Sequence, residues 1–374
     1  MRKAHVLGLA GFLMAATTAR AEEAPAEAPK VSYKNGFQLA TADDEFALKI
    51  VGRVQPRFTF KQDLTDGASG DVNAANFEIA RARLTLEGHA YETVGYKFQT
   101  EFGKGFVYLR DYYIDPKIGG VYVRAGQWKK PFSRQQITSS ANMQLVDRAI
   151  TDKFSGAGRD IGVAVHNNYE KSPGFEWVVG VFNGTGEKPH IDCAVDTTDP
   201  AAPTAACEQT NVPKDIGPQV GARVGYNHGG IKGYSESDLE GGPLRLAVAV
   251  SYLGALAQGE SALFMHRVGP DLLLKVSGFS LGAAAYMLKA GDADAELGYH
   301  GQAGYFLVPK KIEAAARYAA HPAGAEDKSE LTGGVNWFFA GHALKWQTDA
   351  GMVTTTGAPD DKELIVRTQA QLIF

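Results

Sequence analysis

The last twelve residues, Glu363–Phe374 (ELIVRTQAQLIF), alternate between an apolar and a polar face. The apolar face carries Val366, Thr368, Ala370, Leu372 and Phe374; the polar face carries Arg367, Gln369 and Gln371. Because successive side chains of a β-strand point to opposite faces, this pattern predicts a strand that ends the chain on an aromatic residue. An unpaired edge this regular would invite aggregation, which favours a sheet that closes on itself. The alternative is an ordinary edge strand that happens to end the chain.

The same alternation recurs from residue 46 onward in segments of about ten residues, which are separated by clusters of Gly, Asp, Asn and Pro. The predicted strands are 46–62, 75–90, 94–103, 106–115, 120–128, 159–168, 174–182, 216–227, 243–254, 262–275, 278–289, 297–308, 311–320, 329–340, 342–352 and 363–374. Single-chain bacterial barrels have an even number of strands. We therefore predict an all-β fold, a transmembrane antiparallel β-barrel of about sixteen strands spanning residues 45–374.

Two features favour a membrane barrel over a soluble sandwich. Many polar faces carry Arg, Lys, Glu and Gln together, which a water-filled lumen accepts but a packed core does not. Aromatic residues also gather near the ends of the apolar faces, as in the girdles that barrels place at the membrane interfaces. They are Phe58, Phe60, Tyr252, Trp337, Phe339 and Phe374.

The first 44 residues are set apart from the barrel. A basic start, an apolar run and Ala19–Arg20–Ala21 predict a signal peptide over residues 1–21, because the run is too short to span a membrane as a helix. Residues 22–44 begin as an Ala/Pro/Glu linker and are predicted to be a short disordered, periplasmic segment.

Composition limits the partners of the exported chain. Without the signal peptide it has 35 basic and 42 acidic residues, a net charge of −7, which gives no support to nucleic-acid binding. Its two cysteines, Cys193 and Cys207, lie in an Asp/Thr/Pro/Ala-rich stretch with no nearby histidine pair, so a metal site is not expected. In an oxidising compartment the two cysteines are expected to form a disulfide that tightens one loop.

The longest informative loop, between the fifth and sixth predicted strands, is Lys129–Asp160. Its cations include Lys129, Lys130, Arg134 and Arg148, its hydroxyls include Ser139 and Ser140, and apolar residues such as Phe132 are interspersed. Loops this long are usually functional or disordered, and the apolar residues predict packing against a surface. In a wide barrel that surface is the inner wall. We therefore predict that this third outer loop folds into the lumen and narrows it.

The neighbouring strands add charged residues on a single face. They are Arg53, Arg57, Arg81, Arg83, Lys97 and Arg124, together with the carboxylate of Asp111. An arginine facing lipid at mid-depth costs about 2–4 kcal/mol, so these side chains are expected to face the lumen. Guanidinium groups bind the oxygens of phosphate or carboxylate in paired hydrogen bonds, which suits a path for anions. Alternatively, the lumen charges pair with one another and stiffen the wall.

Five stretches resemble the phosphate-selective porin O and P family. They are GRVQPRFTF (Gly52–Phe60), ARARLTLEG (Ala80–Gly88), LRDYYID (Leu109–Asp115), GQWKKPFSRQ (Gly126–Gln135) and GRDIGV (Gly158–Val163). The resemblance implies a sixteen-stranded homotrimeric barrel in the bacterial outer membrane that takes up phosphate or related anions passively, without a cofactor. It also implies anion-binding roles for the strand arginines Arg53, Arg57, Arg81 and Arg83, the loop residues Lys129, Lys130, Arg134, Ser139 and Ser140, and the carboxylate of Asp111.

Three other functions are weighed against anion transport. A general or weakly selective porin fits the acidic balance and the lack of a dense cationic cluster in the C-terminal half. An outer-membrane enzyme would need a nucleophile with a base, or a metal site, but the nine histidines are scattered. An adhesive or structural barrel would predict bulky outer loops and a plugged lumen.

Overall fold

The computed structural model describes residues 28–65, 72–105, 107–187, 190–196, 204–210, 217–255, 264–357 and 360–374. The predicted signal peptide, residues 1–21, lies outside the described residues. Within them, no helix is long and apolar enough to cross a membrane.

The described residues form twenty strands and two four-residue α-helices. The strands are β1 (Lys30–Tyr33), β2 (Phe37–Ala40), β3 (Ala47–Asp63), β4 (Val72–Ala90), β5 (Val94–Glu101), β6 (Tyr108–Ile118), β7 (Val121–Lys129), β8 (Arg159–His166), β9 (Phe175–Phe182), β10 (His190–Asp196), β11 (Thr204–Thr210), β12 (Gln219–His228), β13 (Arg245–Ala255), β14 (Met265–Val276), β15 (Phe279–Ala290), β16 (Glu296–Val308), β17 (Ile312–Ala323), β18 (Glu326–Ala340), β19 (Leu344–Thr355) and β20 (Asp361–Ile373). The helices are α1 (Arg134–Ile137) and α2 (Thr151–Phe154).

Sixteen of these strands, β3–β9 and β12–β20, pair with their neighbours in antiparallel order, and β20 closes the barrel by pairing with β3. The prediction of a sixteen-stranded antiparallel barrel is confirmed, with strand boundaries within a few residues of those expected. We call the rim that holds Ala47 and Ile373 the terminal rim, and the opposite rim, which holds Asp63 and Asp361, the loop rim.

Closure of the barrel involves the last residue. Gly52 and Phe374 exchange backbone hydrogen bonds, with N···O distances of 2.7 and 3.0 Å. A Cβ at position 52 would lie 2.5 Å from the Phe374 ring, so the glycine makes room for the terminal aromatic side chain. The feature that predicted a closed sheet therefore lies at the seam.

Residues 28–44 differ from the prediction of disorder over residues 22–44, of which residues 22–27 lie outside the described residues. β1 and β2 form a hairpin, and β2 pairs with the first four residues of β3. The turn contains Asn35 (φ 52°) and Gly36 (φ 131°), both with positive φ. Asn-Gly between alternating residues is a strong hairpin signal, and the linker-like composition before it concealed this signal.

A second hairpin, β10–β11, contains the two cysteines. Its register places Cys193 directly opposite Cys207. Residues directly opposite each other in antiparallel strands have Cα atoms about 4.5–5.5 Å apart, within the range that a disulfide spans. The disulfide therefore remains a prediction that the backbone register favours. We expect a thiol-reactive maleimide to label neither cysteine in the unfolded, unreduced chain and both after reduction; labelling without reductant would contradict the pairing.

The inner and outer faces of the wall follow the alternation seen in the sequence. Large apolar side chains such as Val248, Val250 and Trp337 are exposed on the outside. Inward-facing polar residues such as Glu313 and Arg317 are almost fully buried. An inward-facing side chain is buried only where another part of the chain covers it. The segments that lie inside the barrel therefore decide which part of the lumen stays open to a solute.

Candidate functional site

The segment between β7 and β8, residues 130–158, is called loop 3. Its side chains contact the inner faces of β12–β20 and are mostly buried. Five of its residues lie over inward-facing glycines, where a Cβ on the wall would meet them. The pairs are Pro131 over Gly221, Phe132 over Gly269, Gln144 over Gly304, Leu145 over Gly334, and Phe154 over Gly298. These glycines of the wall thus leave room for side chains of loop 3.

A second inward segment, residues 229–244, connects β12 to β13 at the terminal rim. Glu236 accepts a hydrogen bond from the backbone N–H of Gln144 (2.8 Å), and its own N–H donates to the carbonyl of Asn142 (3.0 Å). This segment was not singled out from the sequence, so this contact was not predicted. Segment 229–244 meets loop 3 inside the barrel and, together with it, fills the lumen along β12–β20.

Three of the loop cations hold the loop in place. Arg134 donates from Nε to Asp271 (2.6 Å) and from Nη1 to the Gly233 carbonyl (2.8 Å). Arg148 donates to backbone carbonyls of loop 3 itself, at Gln135, Gln136 and Thr138. Lys130 donates to Gln219 (2.8 Å), and burial lowers the pKa of its ammonium to about 8. These contacts give Arg134, Arg148 and Lys130 an anchoring role.

The open part of the lumen lies between loop 3 and the wall formed by β4–β8. It is a cavity of about 700 Å³ that extends from Lys129 and Ser139 to the exposed Lys171 near the terminal rim. Its charged lining residues are Arg83, Lys97, Arg124, Lys129, Arg159, Lys171, Glu87, Asp111, Asp115 and Glu170. Six cations against four carboxylates leave this cavity with a positive excess.

Most cations of the cavity are close to a carboxylate. Arg124 lies 2.8 Å from Asp115 and 3.1 Å from Glu170. Three other cavity cations lie at these distances from a carboxylate of the wall: 2.7 Å for Arg159–Asp111, 2.5 Å for Arg83–Glu101, 3.5 Å for Lys97–Glu87 and 3.9 Å for Lys97–Asp111. Charge pairing that stiffens the wall is therefore a real part of this lumen.

A group of arginines from three strands, Arg57, Arg81 and Arg367, surrounds one carboxylate of loop 3, that of Asp147. We call it the Asp147 cluster. Arg57 and Arg81 were expected as lumen cations and are brought together here, whereas Asp147 was not singled out. The role of Asp147 depends on where loop 3 lies inside the barrel, and no local sequence pattern reveals the position of the loop.

Apart from the Asp147 cluster, Arg53 and Lys129 contact consecutive residues of loop 3. Lys129 donates to the carbonyls of Ile137 (2.8 Å) and Thr138 (3.0 Å), and Arg53 Nη1 donates to Ser139 Oγ (3.3 Å). Among the described residues, Nε and Nη2 of Arg53 have no hydrogen-bond partner, although the side chain is only 7% exposed. The Ser140 hydroxyl is likewise buried without a partner in the described part of the chain.

Comparison with known proteins agrees with the barrel. The model of the family described as phosphate-selective porin O and P matches residues 49–199. No curated protein matches the chain. Among solved structures, the anion-selective porin from Comamonas acidovorans has a TM-score of 0.57 at 14% identity, covering 88% of this chain and 100% of that chain.

Two further solved structures share the fold. The outer-membrane channel DcaP of Acinetobacter baumannii has a TM-score of 0.58 at 13% identity, covering 90% of this chain and 99% of that chain. The trimer form of OmpT, an outer-membrane protein of Vibrio cholerae, has a TM-score of 0.52 at 13% identity, covering 88% of this chain and 100% of that chain.

At these identities the solved structures establish the fold, while the family match includes the arginine-bearing strands β3 and β4 and the whole of loop 3. Family and fold together point to a channel rather than an enzyme. In the described parts of the chain, no group of three His, Cys, Asp or Glu side chains is placed to hold a metal ion. The chain is therefore a bacterial outer-membrane β-barrel of the porin type, and its residues 49–199 match the phosphate-selective porin O and P family.

Proposed function

We propose that this porin favours the passive diffusion of phosphate or related small anions through the lumen past loop 3, as a homotrimer. The observation that carries the proposal is the environment of Arg53. Two of its N–H groups lack a partner among the described residues, and it lies beside a hydroxyl of loop 3. A buried hydrogen-bond donor without a partner destabilises the folded state unless a ligand or a water molecule accepts a hydrogen bond from it.

The surroundings of Arg53 support an anion as that ligand. Arg83 is its cross-strand partner, and Lys129 contacts the loop residue before Ser139. A guanidinium that offers two N–H groups next to a hydroxyl and an ammonium suits a tetrahedral oxyanion or a carboxylate. Binding spread over such sites along the lumen stays shallow enough for the anion to leave, which conduction requires.

A second candidate function is general, weakly selective diffusion. The ion pairs of Arg83, Arg124 and Arg159 favour it, because a cation already paired with a carboxylate attracts a passing anion less. Selectivity would then rest on cations without a paired carboxylate in the described part of the chain, among them Arg53 and Lys129. The two candidates differ in how strongly phosphate blocks a chloride current.

Planar-bilayer recording with the variant Arg53→Gln tests the proposal. We expect the wild-type channel to prefer anions in a KCl gradient and inorganic phosphate to block its chloride current. Charge-assisted hydrogen bonds contribute about 1.5–3 kcal/mol, so Arg53→Gln should raise the half-blocking phosphate concentration by roughly tenfold or more.

The matched control is Lys310→Gln, which removes one positive charge from an exposed turn at the terminal rim. Phosphate should half-block this variant at the same concentration as the wild-type channel. Cation preference in the wild-type channel would contradict the proposed function. Anion preference without any phosphate block would favour the weakly selective porin.

A further inference from the structure

The carboxylate of Asp147 is held by arginines from three different strands. Arg57 donates from Nη1 to Oδ2 (2.8 Å) and from Nη2 to Oδ1 (3.1 Å). Arg81 Nη2 donates to Oδ1 (3.2 Å), and Arg367 Nη1 donates to Oδ2 (3.2 Å). Both oxygens of a single carboxylate are therefore bound by guanidinium groups.

The backbone of loop 3 fixes this carboxylate in place. The N–H of Val146 donates to Asp349 (2.9 Å), and the carbonyl of Asp147 accepts a hydrogen bond from Arg317 (2.9 Å). Three residues further on, the N–H of Ile150 donates to Glu330 (2.9 Å). Wall residues thus hold the loop on both sides of Asp147, and its side chain cannot drift far from the arginines.

Asp147 differs in its access to the lumen from Asp349, the wall carboxylate that also pairs with Arg367. Its side chain is 32% exposed, whereas that of Asp349, which pairs with Arg367, is 1% exposed. A solute in the lumen can therefore reach the Asp147 carboxylate, whereas the side chains of Arg57 and Arg81 are only 7% and 16% exposed. If Asp147 moved away, Arg57 would keep only Glu78, at 3.7 Å, and Arg81 would have no ion pair among the described residues.

Several guanidinium groups around one oxyanion form the donor set that phosphate or a free carboxylate would take. We propose that Asp147 is a tethered competitor of the permeating anion: it occupies the donor set of Arg57 and Arg81, so that a passing oxyanion binds there only by displacing it. This inference rests on the proposed function and names the residue that keeps anion binding shallow at mid-lumen.

The competitor keeps its charge under ordinary conditions. Burial by itself would raise the pKa of Asp147, but the charges of Arg57, Arg81 and Arg367 outweigh it and hold the pKa well below the usual range. Weak binding at several sites allows an ion to enter and to leave, whereas a bare arginine cluster would retain it. The tethered carboxylate thus favours flux over tight binding.

Asp147→Asn in the full-length channel tests the inference, with inorganic phosphate as the first probe and acetate as the second. The variant removes the competing charge and nearly keeps the side-chain size. We expect the half-blocking concentration of phosphate to fall about tenfold and that of acetate to fall as well. In Asp147→Glu, which keeps the charge, the half-blocking concentration of phosphate should stay close to that of the wild-type channel.

The matched control is Asp152→Asn, which removes the charge of a second loop 3 carboxylate, one that lies 3.8 Å from Arg148 and forms no ion pair with the arginines of the Asp147 cluster among the described residues. An equal fall in the half-blocking phosphate concentration of Asp152→Asn would overturn the inference, because the effect would then come from the overall electrostatic field of the lumen. A higher chloride conductance in Asp147→Asn with unchanged phosphate block would also overturn it, since Asp147 would then only anchor the loop.

Failure of this inference can be told apart from failure of the proposed function. A wild-type channel that prefers cations contradicts the proposed function, whatever Asp147→Asn does. A wild-type channel that prefers anions and is blocked by phosphate, combined with an unchanged half-blocking concentration in Asp147→Asn, contradicts only the role given to Asp147.

Discussion

Asp271→Ala is expected to release the first turn of loop 3 and to destabilise the barrel by about 3–5 kcal/mol, because the substitution breaks a buried ion-pair network on one side only. Asp271 accepts hydrogen bonds from Arg134 (2.6 Å) and from both Nη atoms of Arg223 (2.6 and 3.0 Å). Without it, Arg223 keeps Glu176 (3.0 Å), but among the described residues Arg134 keeps only the Gly233 carbonyl as a hydrogen-bond partner of its side chain. Arg134 should therefore leave the wall and take the adjoining part of loop 3 with it.

Two measurements check this expectation. The urea midpoint of the purified barrel should fall, and single-channel conductance should rise and become noisier as loop 3 moves. Asp292→Asn, in an exposed turn, is the matched control and should leave both unchanged. Wild-type stability together with wild-type conductance in Asp271→Ala would show that Arg134 does not anchor the loop.

The architecture of the barrel could be predicted because its signal is local. Alternation with a period of two is visible within each segment, and charged residues cannot face lipid cheaply, so the polar side of every strand is assigned from the sequence. The closing strand showed the pattern most clearly, and its Arg367, Gln369 and Gln371 do face inward. The Asn35–Gly36 turn was an equally local signal that an unusual composition concealed.

The partner of each lumen cation could not be predicted, because partners lie far apart in the chain. Arg134 and Asp271 are separated by 137 residues, and Arg57 and Asp147 by 90. A cation-rich loop looks the same in sequence whether its charges face the permeating ion or anchor the loop. The structure separates them: Arg134 pairs with Asp271 and Arg148 binds carbonyls of loop 3, whereas Arg53 forms no ion pair among the described residues and leaves two of its nitrogens without a hydrogen-bond partner there.

One overlooked signal could have located the docking surface of loop 3. Glycines at inward-facing positions are costly in a strand unless another backbone or side chain must approach closely. Gly269, Gly304 and Gly334 all occupy inward positions on β14, β16 and β18, and each faces a loop 3 side chain. Segment 229–244 carried no comparable signal, because its burial depends on the loop it meets.

Gly304→Val is expected to displace loop 3 from the wall, because the new side chain would occupy the place of the Gln144 amide. That amide donates to Ser280 (2.6 Å) and Glu313 (2.7 Å) and accepts from Gln302 (2.8 Å). Overpacking a filled site costs about 1–3 kcal/mol, and these hydrogen bonds would be lost as well. The urea midpoint should fall and the single-channel conductance should rise.

Gly301→Val supplies the control within the same strand. Gly301 faces outward, and a Cβ there meets no heavy atom within 4 Å among the described residues, so valine should fit against lipid without a change in stability or conductance. Gly304 lies beneath the loop, so a change in conductance at this position must be transmitted by the loop. If Gly304→Val and Gly301→Val conduct alike, loop 3 does not set the width of the lumen.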